Sequence, residues 1–115
     1  MILNLYWSDN EKNSYNIASL EKKENIYELS INEPELKKAT HHGCFGIGEI
    51  KFLQDKYVSE KLFPFFSNRI PSINNPRINV ILDKYKLEKY DEMELLKVTE
   101  ARLSTDRYFC KEKVM

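Results

Sequence analysis

The sequence predicts one α+β domain: a small antiparallel sheet, built from an amino-terminal meander and a carboxy-terminal strand, with three to four helices packed on it. Three observations predict this. Apolar residues alternate through the first third of the chain, segments with helix caps and helical spacing fill the rest, and alternation returns near the end. At 115 residues, 42% of them hydrophobic and 12% aromatic, the chain holds one core, and disorder is not expected. The domain is expected over residues 1–110, with 111–115 as a frayed tail.

The elements follow in order. Ile2, Leu3, Leu5, Tyr6 and Trp7 form a strand-like run, and Ser8-Asp9-Asn10 supplies turn chemistry. Tyr15, Ile17 and Leu20 suit a second strand, and Lys22 to Asn25 is a polar hairpin tip. Ile26 to Ile31 suits a third strand, with Tyr27, Leu29 and Ile31 on one face. Asn32 is placed to cap a short helix that has Pro34 in its first turn, Leu36 and Ala39 facing inward, and Gly43 as the left-handed stop. Ile50, Phe52 and Leu53 are read as a further short strand.

Ser59 is read as the cap of a second helix carrying Leu62, Phe63, Phe65, Phe66 and Ile70, with Pro64 early in it and Pro71 ending it. A helix with aromatic residues on most faces is a core element. Asn75-Pro76 starts a third helix through Ile78, Ile81, Leu82 and Tyr85. Asp91 with Glu94 makes a capping-box pattern for a fourth, which buries Met93, Leu95, Leu96 and Val98. Thr105 to Cys110 is the returning strand.

Eighteen basic residues balance eighteen acidic ones, and the two signs are interleaved along the whole chain. That balance argues against a nucleic-acid partner, which calls for a net basic face. No apolar run approaches the ~20 residues of a membrane helix, and Met1 leads directly into a strand pattern, so a cytoplasmic protein without a signal peptide is expected. Two distant cysteines, Cys44 and Cys110, fit free thiols in a reducing compartment.

Few residue clusters suggest chemistry. His41-His42-Gly43-Cys44 offers zinc-type ligands or a thiol beside a base, but the fourth ligand or the orienting group has to come from elsewhere. The blander reading is an exposed helix end and a buried thiol. Gly43, Gly46 and Gly48 fall within six residues, yet the spacing is neither a dinucleotide fingerprint nor a Walker loop. No metal, cofactor or catalytic set is expected. The six Phe, seven Tyr and one Trp are a different matter, because a domain this small has difficulty burying them all. Aromatic residues and Arg anchor protein interfaces, and Trp7, Tyr57, Phe65 and Arg69 are the candidate partner-binding residues.

Leu62-Phe63-Pro64-Phe65-Phe66-Ser67-Asn68-Arg69-Ile70-Pro71, a following helix, and Tyr90-Asp91-Glu92-Met93-Glu94-Leu95-Leu96 resemble the amino-terminal subdomain of HipA-type kinases. The upstream meander fits too, with Tyr27-Glu28-Leu29 in the place of the family's "Y-x-F" strand. The resemblance spans Ile2 to Phe109. The family's "N-L-L-P-E-G" reads Asn68-Arg69-Ile70-Pro71-Ser72-Ile73 here, without the acid and the glycine, and its Leu-Ser-Leu-Pro strand has no counterpart. A chain of this length holds no kinase body. It is similar to the free-standing, HipS-like antitoxins of bacterial HipB–HipS–HipT toxin–antitoxin systems. The resemblance implies a non-catalytic module that docks on a HipA- or HipT-like Ser/Thr kinase and restrains it, alongside a helix-turn-helix DNA-binding protein. Two other classes compete with it. One is a HIRAN-like binder of single-strand ends, using Lys51, Lys56, Arg69, Arg77 and Arg102 with Tyr57 and Phe65 as stacking platforms. The other is a metal or thiol enzyme centred on His41, His42 and Cys44.

Overall fold

The computed structural model describes residues 1–48, 50 and 54–114. Five antiparallel strands, β1 (Ile2–Ser8), β2 (Ser14–Lys23), β3 (Ile26–Ile31), β4 (Lys56–Ser59) and β5 (Tyr108–Glu112), form one sheet in the order β4-β3-β2-β1-β5. Among the described residues four helices, α1 (Glu33–His41), α2 (Pro64–Ser67), α3 (Ile78–Lys84) and α4 (Glu92–Thr99), accompany the sheet in an α+β fold. No described helix is long and apolar enough to cross a membrane.

Period-two alternation decides the layers. On β1, Leu3, Leu5 and Trp7 are buried while Ile2, Asn4, Tyr6 and Ser8 are only half-buried. Register carries that face across the sheet: Leu20 pairs with both Leu3 and Leu29, and Cys110 pairs with Leu5. Leu36 and Ala39 of α1, Phe66 of α2, and Met93 and Leu96 of α4 belong to the same cluster, which is the hydrophobic core. The pairing slips between Leu5 and Tyr6, from Ala18 to Asn16, and leaves Ile17 as the extra residue of a bulge. Ile17 is fully buried, and its carbonyl accepts from the Asn32 N–H at 2.9 Å, which sets the direction in which the chain enters α1. The opposite sheet face carries the stacked Tyr6–Phe109 pair, with ring centroids 5.1 Å apart.

Local chemistry explains the ends of the elements. Asp9 closes the first turn: one carboxylate oxygen accepts from the Glu11 and Asn13 N–H groups, and the other from the Tyr15 hydroxyl at 2.9 Å. Asp91 caps α4 by accepting from the Glu94 N–H at 3.1 Å. Long-range hydroxyl bonds tie the helical layer down, from Tyr27 to Glu92 at 2.8 Å and from Tyr90 to the Pro71 carbonyl at 2.7 Å.

The structure corrects four sequence expectations. Of the strand expected at Ile50, Phe52 and Leu53, Ile50 makes an isolated bridge with Ile47, and Phe52 and Leu53 lie outside the described residues; the strand described in this region is β4, Lys56–Ser59. Ser59 does not cap a helix. It pairs with Tyr27 in the ladder, and α2 waits until Pro64 because Phe63, at φ −58° and ψ 137°, is held extended by the proline after it. Asn32 stands at the start of α1 without a side-chain capping bond. The third helix starts at Ile78, since Asn75 Oδ1 spends itself on the Arg77 N–H in a preceding turn. The last strand is shifted: Asp106 holds a turn by accepting from the Tyr108 N–H, so Thr105–Arg107 leave the ladder and Lys111 and Glu112 join it, with the Lys113 N–H donating to the Ile2 carbonyl.

Candidate docking surface

The most unusual surface forms where α2, the glycine loop after α1, and the turn before β5 meet. Pro64 starts α2 so that Phe66 points inward and is fully buried. Phe65 is half-buried beside it, edge-on to Phe66 at 5.1 Å and edge-on to Tyr108 of β5 at 5.0 Å. Arg69 follows one turn later. Its guanidinium carbon lies 4.4 Å from the Phe65 ring centre and 5.1 Å from that of Tyr108, so the cation is held between two rings. The same group makes a two-pronged ion pair with Asp106, and Nη1 also donates to the Ala101 carbonyl at 2.9 Å. With only 4% of its side chain exposed, Arg69 is a structural pin between α2 and the turn into β5. Its Nε is buried with no hydrogen-bond partner among the described residues.

The glycine loop folds around a sulfur. Cys44 is buried, its Sγ accepts from the Gly46 N–H at 3.4 Å, and it lies 3.6 Å from the Tyr108 hydroxyl. Burial, and after it the hydrogen bond with Cys44, pushes the Tyr108 hydroxyl upward in pKa, so it stays protonated and donates to the Gly46 carbonyl. Gly48 has φ +52°, and a Cβ there would stand 3.0 Å from the Phe65 ring, so any other residue would strain the backbone and push that ring aside. Turning Cys44 inward turns its neighbour out: Phe45 is 100% exposed. A fully exposed phenylalanine beside other apolar groups is what protein-binding surfaces present. A groove of ≈ 460 Å³ lies beside it, lined by Phe45, Phe65, Leu103 and Tyr108 together with the Arg69–Asp106 pair. A second depression of ≈ 300 Å³ shares Phe45, Asp106 and Tyr108 and continues over Trp7 and Arg107.

Of the four residues expected at a partner surface, the structure brings Phe65 and Arg69 together here. Trp7 is 6% exposed and is a core residue that also lines the second depression. Tyr57 lies on β4, at the opposite edge of the sheet from β5, half-buried against the core. Phe45, Leu103, Asp106 and Tyr108 were not singled out in the sequence. Phe45 alone carried a local signal, an aromatic residue inside a glycine-rich loop between Cys44 and Gly46.

The other constellations separate. The histidines are exposed, His42 stacking on the Tyr15 ring at 5.6 Å, while Cys44 faces inward to Gly46 and Tyr108. Among the described residues no three His, Cys, Asp or Glu side chains are grouped to hold a metal ion. Burial pushes the Cys110 thiol up to about 12, which leaves it a poor nucleophile at neutral pH. The basic residues of the nucleic-acid reading are dispersed: Arg69 is spent on Asp106, Arg102 pairs with Glu100 at 2.7 Å and lies over Phe109, and Lys56 is on β4. Lys51 lies outside the described residues. No protein-family model and no curated protein sequence matches the chain.

Proposed function

We propose that this chain is a non-catalytic, cytoplasmic docking module, an antitoxin or regulatory subunit that binds a HipA-family Ser/Thr kinase in trans and restrains it. The observation that carries the docking part is Phe45, wholly exposed beside an apolar groove whose lining is pinned by the Arg69–Asp106 pair. Such a surface is pre-organised, so binding costs little ordering entropy. The kinase part rests on the resemblance of Leu62–Pro71 and Tyr90–Leu96 to the HipA amino-terminal subdomain. Phe65 and Arg69 of that segment contribute directly to the groove, which ties the two parts of the reading to one place in the fold.

The test is co-expression with a HipA-family kinase encoded beside this chain. The reading expects growth to be rescued and the two polypeptides to purify together, and it expects Phe45→Asp to weaken both effects. A pair that neither rescues nor associates ends the kinase reading.

A further inference from the structure

We propose that the Phe45 face also closes on a second copy of this chain, as a two-fold dimer in which Phe45 of each copy seats in the Phe65–Leu103–Tyr108 groove of the other. This inference does not depend on the kinase reading. Its first support is shape. A two-fold interface uses the same patch on both copies, so the patch must carry a projection and a recess side by side. Phe45 is at once the fully exposed projection and one wall of the ≈ 460 Å³ groove.

The second support is charge. Asp106 and Arg107 are neighbours in sequence, of opposite sign, on the rim of the depression that continues from the groove. Arg107 is exposed and has no ion-pair partner among the described residues, while Asp106 keeps 27% of its side chain exposed behind its contact with Arg69. In such a two-fold pair Arg107 of each copy is the expected counter-charge for the exposed edge of Asp106 of the other. The third support is the absence of opposition at a distance: the formal net charge is zero, so two copies approach without mutual repulsion. Dimerisation hides Phe45, so a partner that needs this face competes with the second copy, and the dimer is a reserve form of the module.

The test is sedimentation equilibrium on the full chain up to about 1 mM, where contacts of even millimolar affinity register. The wild type is expected to dimerise, Phe45→Asp to raise the dissociation constant at least about tenfold, and Arg107→Glu to raise it and weaken its salt dependence. Ile73→Asp and Val80→Asp, at residues 59% and 60% exposed elsewhere on the surface, are expected to leave it unchanged. Because Phe45 touches no core, its variant folds, and circular dichroism checks that. A wild type that stays monomeric at the highest concentration overturns the proposal, and so does a dimer indifferent to Phe45→Asp or equally sensitive to the control variants. A monomer whose Phe45→Asp variant nonetheless loses kinase binding assigns the face to the kinase alone.

Discussion

Replacing Arg69 with alanine is the sharpest test of how the docking face is held. The substitution removes a guanidinium that is 96% buried by its side chain, since 4% is exposed, and it strands the Asp106 carboxylate and the Ala101 carbonyl. Breaking one side of a buried ion pair costs ~3–5 kcal/mol. Asp106 recovers some hydration through its 27% exposure, which draws the figure toward the lower end. The two ring contacts add back roughly 0.5–1 kcal/mol. The expected loss is therefore about 3–4 kcal/mol, against total stabilities of ~5–15 kcal/mol for domains of this kind. Urea unfolding followed by the fluorescence of the single tryptophan, Trp7, measures it directly, because that ring is 6% exposed in the folded state. A double-mutant cycle with Asp106→Asn is expected to return a coupling of at least about 1 kcal/mol. The pair Arg69→Met with Asp106→Leu is expected to recover most of the loss, leaving about 1 kcal/mol for the forfeited Tyr108 N–H bond. A loss below about 1 kcal/mol for Arg69→Ala, or strict additivity in the cycle, refutes the reasoning.

Phe66→Ala, at a fully buried ring, is expected to cost about 3–5 kcal/mol, whereas Phe45→Ala is expected to stay within about 0.5 kcal/mol of wild type in the same urea assay. Gly48→Ala is expected to cost about 1–2 kcal/mol, from its φ of +52° and the 3.0 Å approach to Phe65, and to alter the near-ultraviolet dichroism of the aromatic cluster. Both thiols are expected to resist alkylation in the native protein and to react only on unfolding, since Cys44 and Cys110 are 3% and 0% exposed; mass spectrometry of iodoacetamide-treated samples decides it. Asp9 supplies a pH test. Burial opposes its ionisation, but the Asn13, Tyr15 and Glu11 hydrogen bonds prevail and lower its pKa below the ordinary 3.8. The stability it contributes is therefore present above that value and is lost as pH falls through the lower, folded one. Urea midpoints measured between about pH 2 and 6 are expected to fall toward acid in the wild type and less steeply in Asp9→Asn. Glu28 and Glu100, lowered by Lys23 and Arg102 respectively, keep the variant's slope from vanishing.

The meander was legible because its information is local. Leu3, Leu5 and Trp7 alternate, Asp9 turns the chain with its own side chain, and Tyr27, Leu29 and Ile31 repeat the buried face. The Asp91 cap was legible for the same reason. Boundaries failed where a long-range bond overrode a local preference. Ser59 has the chemistry of a helix cap but is claimed by Tyr27 across the sheet, and Asp106 pulls three residues out of the last strand in order to reach Arg69. The candidate site was half legible. Phe65 and Arg69 stand in one aromatic segment, which the sequence displays, whereas the pairing of Arg69 with Asp106 is not visible there. Trp7 is 6% exposed, its apolar area covered by the fold, which its place in an alternating strand does not reveal. Leu103, Asp106 and Tyr108 reach the groove only through a contact some forty residues distant in sequence, which no local pattern displays.

The claim on which the account turns is that Phe45 and its groove meet a second polypeptide. Binding kinetics on an immobilised HipA-family kinase, measured for the wild type, Phe45→Asp and Ile73→Asp, test it most directly. The wild type and Ile73→Asp are expected to associate alike, and Phe45→Asp to dissociate at least about tenfold faster. Equal dissociation of all three, or no association by the wild type, contradicts it.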